Sequence, residues 1–395
     1  MPEPTKVLCV FGTRPEAIKM APVVKELQNM PDRFACRVCV TGQHREMLDQ
    51  VLRLFDIRPD YDLNIMQTNQ SLTQLTAKAL TSLEPVMVTE RPDWVLVQGD
   101  TTTATCAALV AFYHRIKVGH IEAGLRTWNK FHPFPEEVNR KLVDAFCDIH
   151  FAPTEVSRQN LLREGISDSS IHVTGNTVVD ALNMVANLEP TAEILSLFQS
   201  LGMQDTIGGL PSAASASHRL ILVTAHRRES FGKPLENICI ALRQIASQYS
   251  EARIVYPVHL NPNVRRVVND ILGDIKNISL LEPLDYLPMV YLMKRSYLIL
   301  TDSGGIQEEA PAFGVPVLVL RETTERTEAI EAGTARLVGT DTEKIVEWAS
   351  RLLDDECEHH KMAHAANPFG DGHASERIVE QLLGRESEIP IEALV

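Results

Sequence analysis

The stretch Leu298-Ile299-Leu300-Thr301-Asp302-Ser303-Gly304-Gly305-Ile306-Gln307-Glu308-Glu309 sets how the rest of the chain is read. A short apolar run gives way to Ser-Gly-Gly and then to a helix-forming segment, so a strand passes through a tight turn into a helix. Free backbone N–H groups at such a helix start, two glycines and a serine hydroxyl suit a phosphate or pyrophosphate. Glu309 falls about one turn into that helix, where its carboxylate can accept from ribose hydroxyls. The plainer alternative is a capped helix whose acids are favoured by the dipole.

The same strand–turn–helix unit recurs outward along the chain. The first half predicts strands at Lys6–Val10, Arg37–Thr41, Trp94–Gln98, Lys117–Ile121, Ile149–Phe151 and Ile171–Thr174. In the second half they are Leu220–Thr224, Arg253–Val258, Tyr297–Thr301, Val315–Leu320 and Arg336–Val338. Short strands alternating with helix-length segments predict an α/β protein with two doubly wound parallel sheets. The low-complexity run Gly208–Ser217 lies between the two sets.

Ligands of open α/β sheets bind outside the carboxyl ends of the strands. Polar residues cluster there: Gly12-Thr13-Arg14, Gly99-Asp100-Thr101, Glu122-Ala123-Gly124, Thr224-Ala225-His226-Arg227-Arg228 and Asp302-Ser303-Gly304-Gly305. Arg14 and Lys19 can hold an anion at a helix start, or be ordinary solvated charges. Asp100, Glu122 and Glu136 are candidates for acid/base work. Asp100 could instead cap the Thr-rich helix after it, and Glu136 could be a first-turn helix acid after Pro135. His226, with arginines behind it, suits a phosphate leaving group, and His259 is a weaker candidate.

Composition bounds the class. Lys+Arg number 38 and Asp+Glu 52, a formal net charge of −14, with 44% apolar and 23% charged residues. An acidic balance disfavours nucleic acid and anionic membranes as partners. No apolar run reaches the ~18–20 residues of a membrane span. The N-terminus lacks the signal-peptide pattern, so a cytoplasmic protein is expected. Seven scattered cysteines suggest no disulfide framework. Cys36-Arg37-Val38-Cys39 matches CxxC, but within a strand its two side chains take opposite faces. His360 and His364 have metal-ligand spacing without an acid partner, and Asp60-Tyr61-Asp62 is too short a metal motif, so no metal is expected. The chain has no G-x-G-x-x-G and no G-x-x-x-x-G-K-[ST], which removes the usual nicotinamide and Walker-type readings and leaves no cofactor expected.

Longer motifs add a resemblance. Phe11-Gly-Thr-Arg-Pro-Glu-Ala-Ile-Lys-Met-Ala-Pro22, Gln43-His-Arg-Glu-Met-Leu-Asp-Gln50, Gly99-Asp-Thr-Thr-Thr103 and His120-Ile-Glu-Ala-Gly-Leu-Arg-Thr127 stand in the first half. Pro135-Glu-Glu137, Val173-Thr-Gly-Asn-Thr177, His226-Arg-Arg-Glu229, Tyr256-Pro-Val-His-Leu-Asn-Pro262 and Thr301-Asp-Ser-Gly-Gly-Ile-Gln-Glu-Glu-Ala310 follow. Over nearly its whole length the chain resembles the non-hydrolysing UDP-N-acetylglucosamine 2-epimerases. The Gly208–Ser217 run and Ala225 before His226 depart from the pattern.

The resemblance implies the GT-B fold, two Rossmann-like doubly wound domains facing across a cleft. It implies domains at 1–178, joined by a returning C-terminal helix at 374–395, and at 179–373. It places UDP on Ser303, Gly304, Gly305 and Glu309, met by Arg14 and Lys19, with His226 near the diphosphate. Asp100, Glu122 and Glu136 become the acid/base set, and Gln43 and His259 match positions tied to activation by UDP-N-acetylglucosamine. The implied reaction is reversible inversion at C2 of UDP-N-acetylglucosamine to UDP-N-acetylmannosamine, by elimination of UDP to 2-acetamidoglucal and re-addition. That product serves cell-surface polysaccharides, and the family implies a homodimer. The alternatives are a GT-B glycosyltransferase, a hydrolysing epimerase and a silent nucleotide-sugar sensor.

Overall fold

The computed structural model describes residues 3–42, 45–67, 69–203, 219–227 and 230–384, apart from the side chain of Glu46. The chain divides into two compact units, Met1–Asn183 with Phe369–Val395, and Met184–Pro368. The strands of the first unit are β1 (Thr5–Phe11), β2 (Phe34–Val40), β3 (Tyr61–Asp62), β4 (Trp94–Gln98), β5 (Lys117–Ile121), β6 (Ile149–Ala152) and β7 (Ile171–Val173). Those of the second are β8 (Arg219–Thr224), β9 (Ala252–Pro257), β10 (Ile278–Leu281), β11 (Leu298–Thr301), β12 (Val317–Val319) and β13 (Ala335–Leu337).

All pairings are parallel, in the orders β3-β2-β1-β4-β5-β6-β7 and β10-β9-β8-β11-β12-β13. Each sheet is therefore doubly wound, and its order reverses at one switch point, β1/β4 in the first unit and β8/β11 in the second. Central strands are covered on both faces, which is why they read as unbroken apolar runs such as Trp94-Val-Leu-Val-Gln98. The eleven strands expected from the sequence are present with small shifts at their ends. Two more, β3 and β10, are edge strands that the apolar pattern did not reveal.

The helix Ala374–Gly384 belongs to the first unit and packs on the helix Arg14–Gln28. Buried Asp180 fixes its start, accepting from Ala374 N at 3.2 Å, Ser375 N at 2.7 Å and Ser375 Oγ at 2.6 Å. Cys39 joins the core with Leu8 and Val10, whereas Cys36 lies against Cys9, so the CxxC thiols take opposite faces. Burial pushes the Cys39 thiol up to about 12. Asp60, of the Asp-x-Asp pair, binds Arg37 and the Val38 N–H at the sheet edge. The run 208–217 lies outside the described residues.

Gly12 ends β1 where the chain passes between two threonines. A Cβ there would stand 2.0 Å from Thr41 Oγ1 and 2.6 Å from Thr103 Oγ1, which bond each other at 2.9 Å. Gly12→Ala is expected to lower stability by about 1–3 kcal/mol through overpacking. Urea unfolding of the two proteins checks this, and equal midpoints would contradict it.

Candidate active site

At the β1/β4 switch point a buried carboxylate knits the two strand ends together. Thr13 and Glu16 form a capping box at the start of the helix Arg14–Gln28. Glu16 Oε2 accepts from the N–H groups of Gly12 (3.0 Å) and Thr13 (2.7 Å), and its Oε1 accepts from Thr101 Oγ1 at 2.6 Å. Burial raises the Glu16 carboxyl above its ordinary range, and those donors oppose the rise. Thr101 also caps the helix Thr102–Tyr113, accepting from Ala104 N. Asp100 is thereby relieved of the capping role open to it in the sequence.

Asp100 is instead gripped by the helix Glu136–Phe146. Its Oδ2 accepts from Arg140 Nε at 2.8 Å, and its carbonyl accepts from Asn139 Nδ2 at 2.9 Å. Arg140 also donates to buried Glu137, whose oxygens accept the N–H groups of Thr127 and Trp128. One helical turn further, Asp144 faces His120 at 2.6 Å, and the other ring nitrogen of His120 meets the Gly99 carbonyl at 2.7 Å. Glu136, Asn139, Arg140 and Asp144 are spaced three, four and eight apart, on one face of the helix. A single face thus carries one candidate carboxylate, holds a second, and through His120 anchors the strand that delivers the third.

That third is Glu122, one residue past β5. Its backbone is left-handed at φ +65°, a costly conformation for a residue other than glycine. Its carboxylate accepts from Lys19 Nζ at 2.5 Å and Gln98 Nε2 at 2.7 Å. Lys19 is therefore committed to Glu122. Arg14 is half-buried at the helix start, and no acidic partner stands beside it among the described residues.

In the second unit a buried aspartate performs the knitting. Asp302 follows β11 with no exposed surface, and its Oδ2 accepts the N–H groups of His226 and Arg227, each at 2.8 Å. The ring of His226 stacks on His259 with centroids 5.9 Å apart and planes 15° apart. Burial lowers the His226 imidazole from its ordinary value, against the upward pull of Asp302. The Ser303 N–H is held by Thr301 Oγ1, and its side chain caps nothing in the helix Gly304–Glu309. Gly305 is exposed, while Gly304 lies under Arg326, whose guanidinium carbon would be 3.2 Å from a Cβ there. Arg326 bonds buried Glu308 at 2.8 Å, and Glu309 is half-buried at the helix end. Gln43 lies outside the described residues. His360 and His364 stack on each other at 3.7 Å. Among the described residues no three His, Cys, Asp or Glu are placed to hold a metal ion. No described helix is long and apolar enough to cross a membrane.

Sequence reading quoted His120 and Asp302 within motifs without assigning them a role, and gave none to Glu16, Arg140, Asp144 or the Glu308–Arg326 pair. The Thr13-x-x-Glu16 pattern was a usable signal, as was the spacing along 136–144.

Two Rossmann-like units, one presenting carboxylates and the other a histidine and a Ser-Gly-Gly turn at its switch point, define a nucleotide-sugar enzyme of GT-B-like fold. The family model described as UDP-N-acetylglucosamine 2-epimerase matches residues 25–383. The UDP-N-acetylglucosamine 2-epimerase of Escherichia coli K12 is 56% identical over 377 residues, 95% of this chain and 98% of that protein. The Yersinia pestis protein of the same name is 57% identical over 379 residues, again 95% and 98%. Among solved structures, the Neisseria meningitidis UDP-GlcNAc 2-epimerase bound to UDP-GlcNAc superposes with a TM-score of 0.85. It is 51% identical and covers 96% of this chain and 100% of its own. The Staphylococcus aureus MnaA–UDP co-structure gives 0.82 at 48% identity, covering 98% and 99%. The chain belongs to the UDP-N-acetylglucosamine 2-epimerase family and is an enzyme of the isomerase class.

Asp144 offers a test of the scaffold. Burial alone would raise its carboxyl, but His120 and Arg126 (2.5 Å) hold it down at about 2. This folded value lies below the unfolded value of about 3.9, so its stabilisation is present above that pH and fades as pH falls toward about 2. Asp144→Asn is expected to cost roughly 3–5 kcal/mol at neutral pH, because the buried Arg126 guanidinium loses a charged partner. The gap should narrow at about pH 3, where the native carboxyl begins to lose its advantage. Urea midpoints at both pH values check this, and a gap independent of pH would refute it.

Proposed function

We propose that this chain interconverts UDP-N-acetylglucosamine and UDP-N-acetylmannosamine by inverting C2 of the sugar. The observation that carries the reading, beside family membership, is that one helical face organises all three candidate carboxylates, Asp100, Glu122 and Glu136. The C2 proton is not adjacent to a carbonyl, so simple removal and return is chemically closed. Elimination opens a route. A base takes the C2 proton, its electron pair forms the C1=C2 bond, and the C1–O pair leaves with UDP to give 2-acetamidoglucal. Re-addition of UDP with protonation on the opposite face completes the inversion. Proton transfer on both faces calls for more than one carboxyl group.

In this reading Ser303, Gly304, Gly305, Glu309 and His226 of the second unit hold UDP, Arg14 of the first unit is a further anion-binding group, and Lys19 serves Glu122. N–H donors at the helix start, and Arg14 with no acidic partner among the described residues, support an anionic ligand. The product feeds cell-surface polysaccharides, and the reaction takes place in the cytoplasm.

Incubation with UDP-N-acetylglucosamine alone in D2O, followed by proton NMR, is the test. The expected result is UDP-N-acetylmannosamine with deuterium at C2. Free N-acetylmannosamine would assign a hydrolysing enzyme, and unchanged, unlabelled substrate would overturn the reading. Asp100→Asn, Glu122→Gln and Glu136→Gln are each expected to lower kcat by about 10²–10⁴-fold.

The same reading includes a homodimer. Its support is an exposed apolar row: Val138 and Leu142 one turn apart on one helix, and Phe112 and Tyr113 ending its neighbour, with Phe112 packed on Phe146 at 5.6 Å. Light scattering is expected to give twice the chain mass, and Leu142→Asp is expected to give the single-chain mass. A monomeric unsubstituted protein would end this part of the proposal.

A further inference from the structure

Asp302 has one oxygen that the strand-end knot does not use. Its Oδ2 takes the two backbone N–H groups and lies 3.5 Å from Ser230 Oγ. Its Oδ1 is buried and makes no hydrogen bond among the described residues. The ionisable group that faces it is His226 Nδ1, at 3.3 Å. Asp302 itself is 0% exposed, whereas 44% of the His226 side chain is exposed. The contact therefore joins a ring that keeps exposed surface to a carboxylate that has none. His259 stacks on the ring face and holds its own Nδ1 toward Asn261 N at 3.1 Å, so it does not compete for Nδ1 of His226.

We propose that Asp302 is a positioning residue that fixes the proton of His226 on Nδ1 and so presents Nε2 to the ligand. The inference rests on the reading of His226 as a group that acts on the diphosphate. A carboxylate oxygen accepts only, so the contact favours the proton on the ring nitrogen that faces it. A buried carboxylate beside one ring nitrogen biases both tautomer and ring orientation, as it does for a catalytic histidine elsewhere. When the diphosphate binds, a proton taken up from solvent at Nε2 gives an imidazolium that the fixed charge of Asp302 stabilises. Glu16 gives its second oxygen to the Thr101 hydroxyl, whereas the second oxygen of Asp302 faces His226.

Asp302→Asn separates this role from mere scaffolding. The carboxamide oxygen can still accept the two backbone N–H groups, but its NH2 now faces Nδ1 and favours the proton on Nε2. The experiment is ¹⁵N–¹H NMR of histidine-labelled full-length protein, with and without UDP, with His226 assigned by its loss in His226→Asn. The expected result is the Nδ1–H tautomer in the free protein, the imidazolium with UDP, and the Nε2–H tautomer in Asp302→Asn. In parallel, kcat of Asp302→Asn is expected to fall by about 10²–10⁴-fold with KM changed only a few-fold. A free protein with the proton on Nε2, or a variant with an unchanged tautomer, overturns the proposal. If His226→Asn keeps the native kcat, the role of His226 in catalysis fails instead, and the tautomer result still decides what Asp302 does to the ring. Should Asp302→Asn not fold, the spectrum of the unsubstituted protein alone remains decisive.

Discussion

A buried carboxylate at each switch point is the constraint on which the rest of this structure depends. Doubly wound sheets leave a gap where the strand order reverses, and at each gap a side-chain carboxylate adds hydrogen bonds between the two flanking strand ends. In the first unit Glu16 bridges Gly12 and Thr13 to Thr101; in the second Asp302 bridges β11 to His226 and Arg227. Both side chains are almost wholly buried. Burial is tolerable for each because backbone N–H groups, which need acceptors themselves, supply the hydrogen bonds. The two solutions come from opposite sides of the gap. Glu16 reaches back from a helix after the first strand of its unit, whereas Asp302 ends the fourth.

Once the strand ends are fixed, the candidate carboxylates need only short connections. Asp100 and Glu122 each lie within two residues of a buried strand, so their positions inherit the rigidity of the sheet. What the sheet does not fix is direction, and that comes from the helix Glu136–Phe146. Its Asn139 and Arg140 hold Asp100, while Asp144 reaches through His120 to the Gly99 carbonyl. The left-handed backbone of Glu122 fits this picture. Strain of that kind persists only where surrounding contacts over-determine the residue, and here Lys19 and Gln98 both grip its carboxylate.

The sequence made the central strands legible because a strand covered on both faces must be apolar throughout. It did not make β3 and β10 legible, since an edge strand of two or four residues with half-covered side chains looks like a loop. The site divided in the same way. Strand-end clusters such as Asp302-Ser303-Gly304-Gly305 are contiguous and visible in one dimension. Their partners are not: His120 meets Asp144 across 24 residues, His226 meets Asp302 across 76, and Lys19 meets Glu122 across 103. Those distances are closed by sheet register and helix packing. Lys19 shows the consequence, since as a lone cation after β1 it read as an anion ligand, and only the fold reveals the carboxylate already beside it.

The same pairing explains how a chain of net charge −14 can serve an anionic ligand. Buried cations near the strand ends come with their own acids: Lys19 with Glu122, Arg140 with Asp100 and Glu137, Arg126 with Asp144 and Glu164, Arg326 with Glu308 and Glu325. Each such set orients its side chains and adds no net positive charge, since one cation meets one acid or two. Positive charge outside these pairs comes from Arg14, which has no acidic partner among the described residues, and from backbone N–H groups such as those at the start of the helix Gly304–Glu309, which need no titratable residue. A charge sum counts neither orientation nor backbone dipoles. Surface acids beyond about a Debye length are screened, so the field at the site is set by the few groups within reach of it.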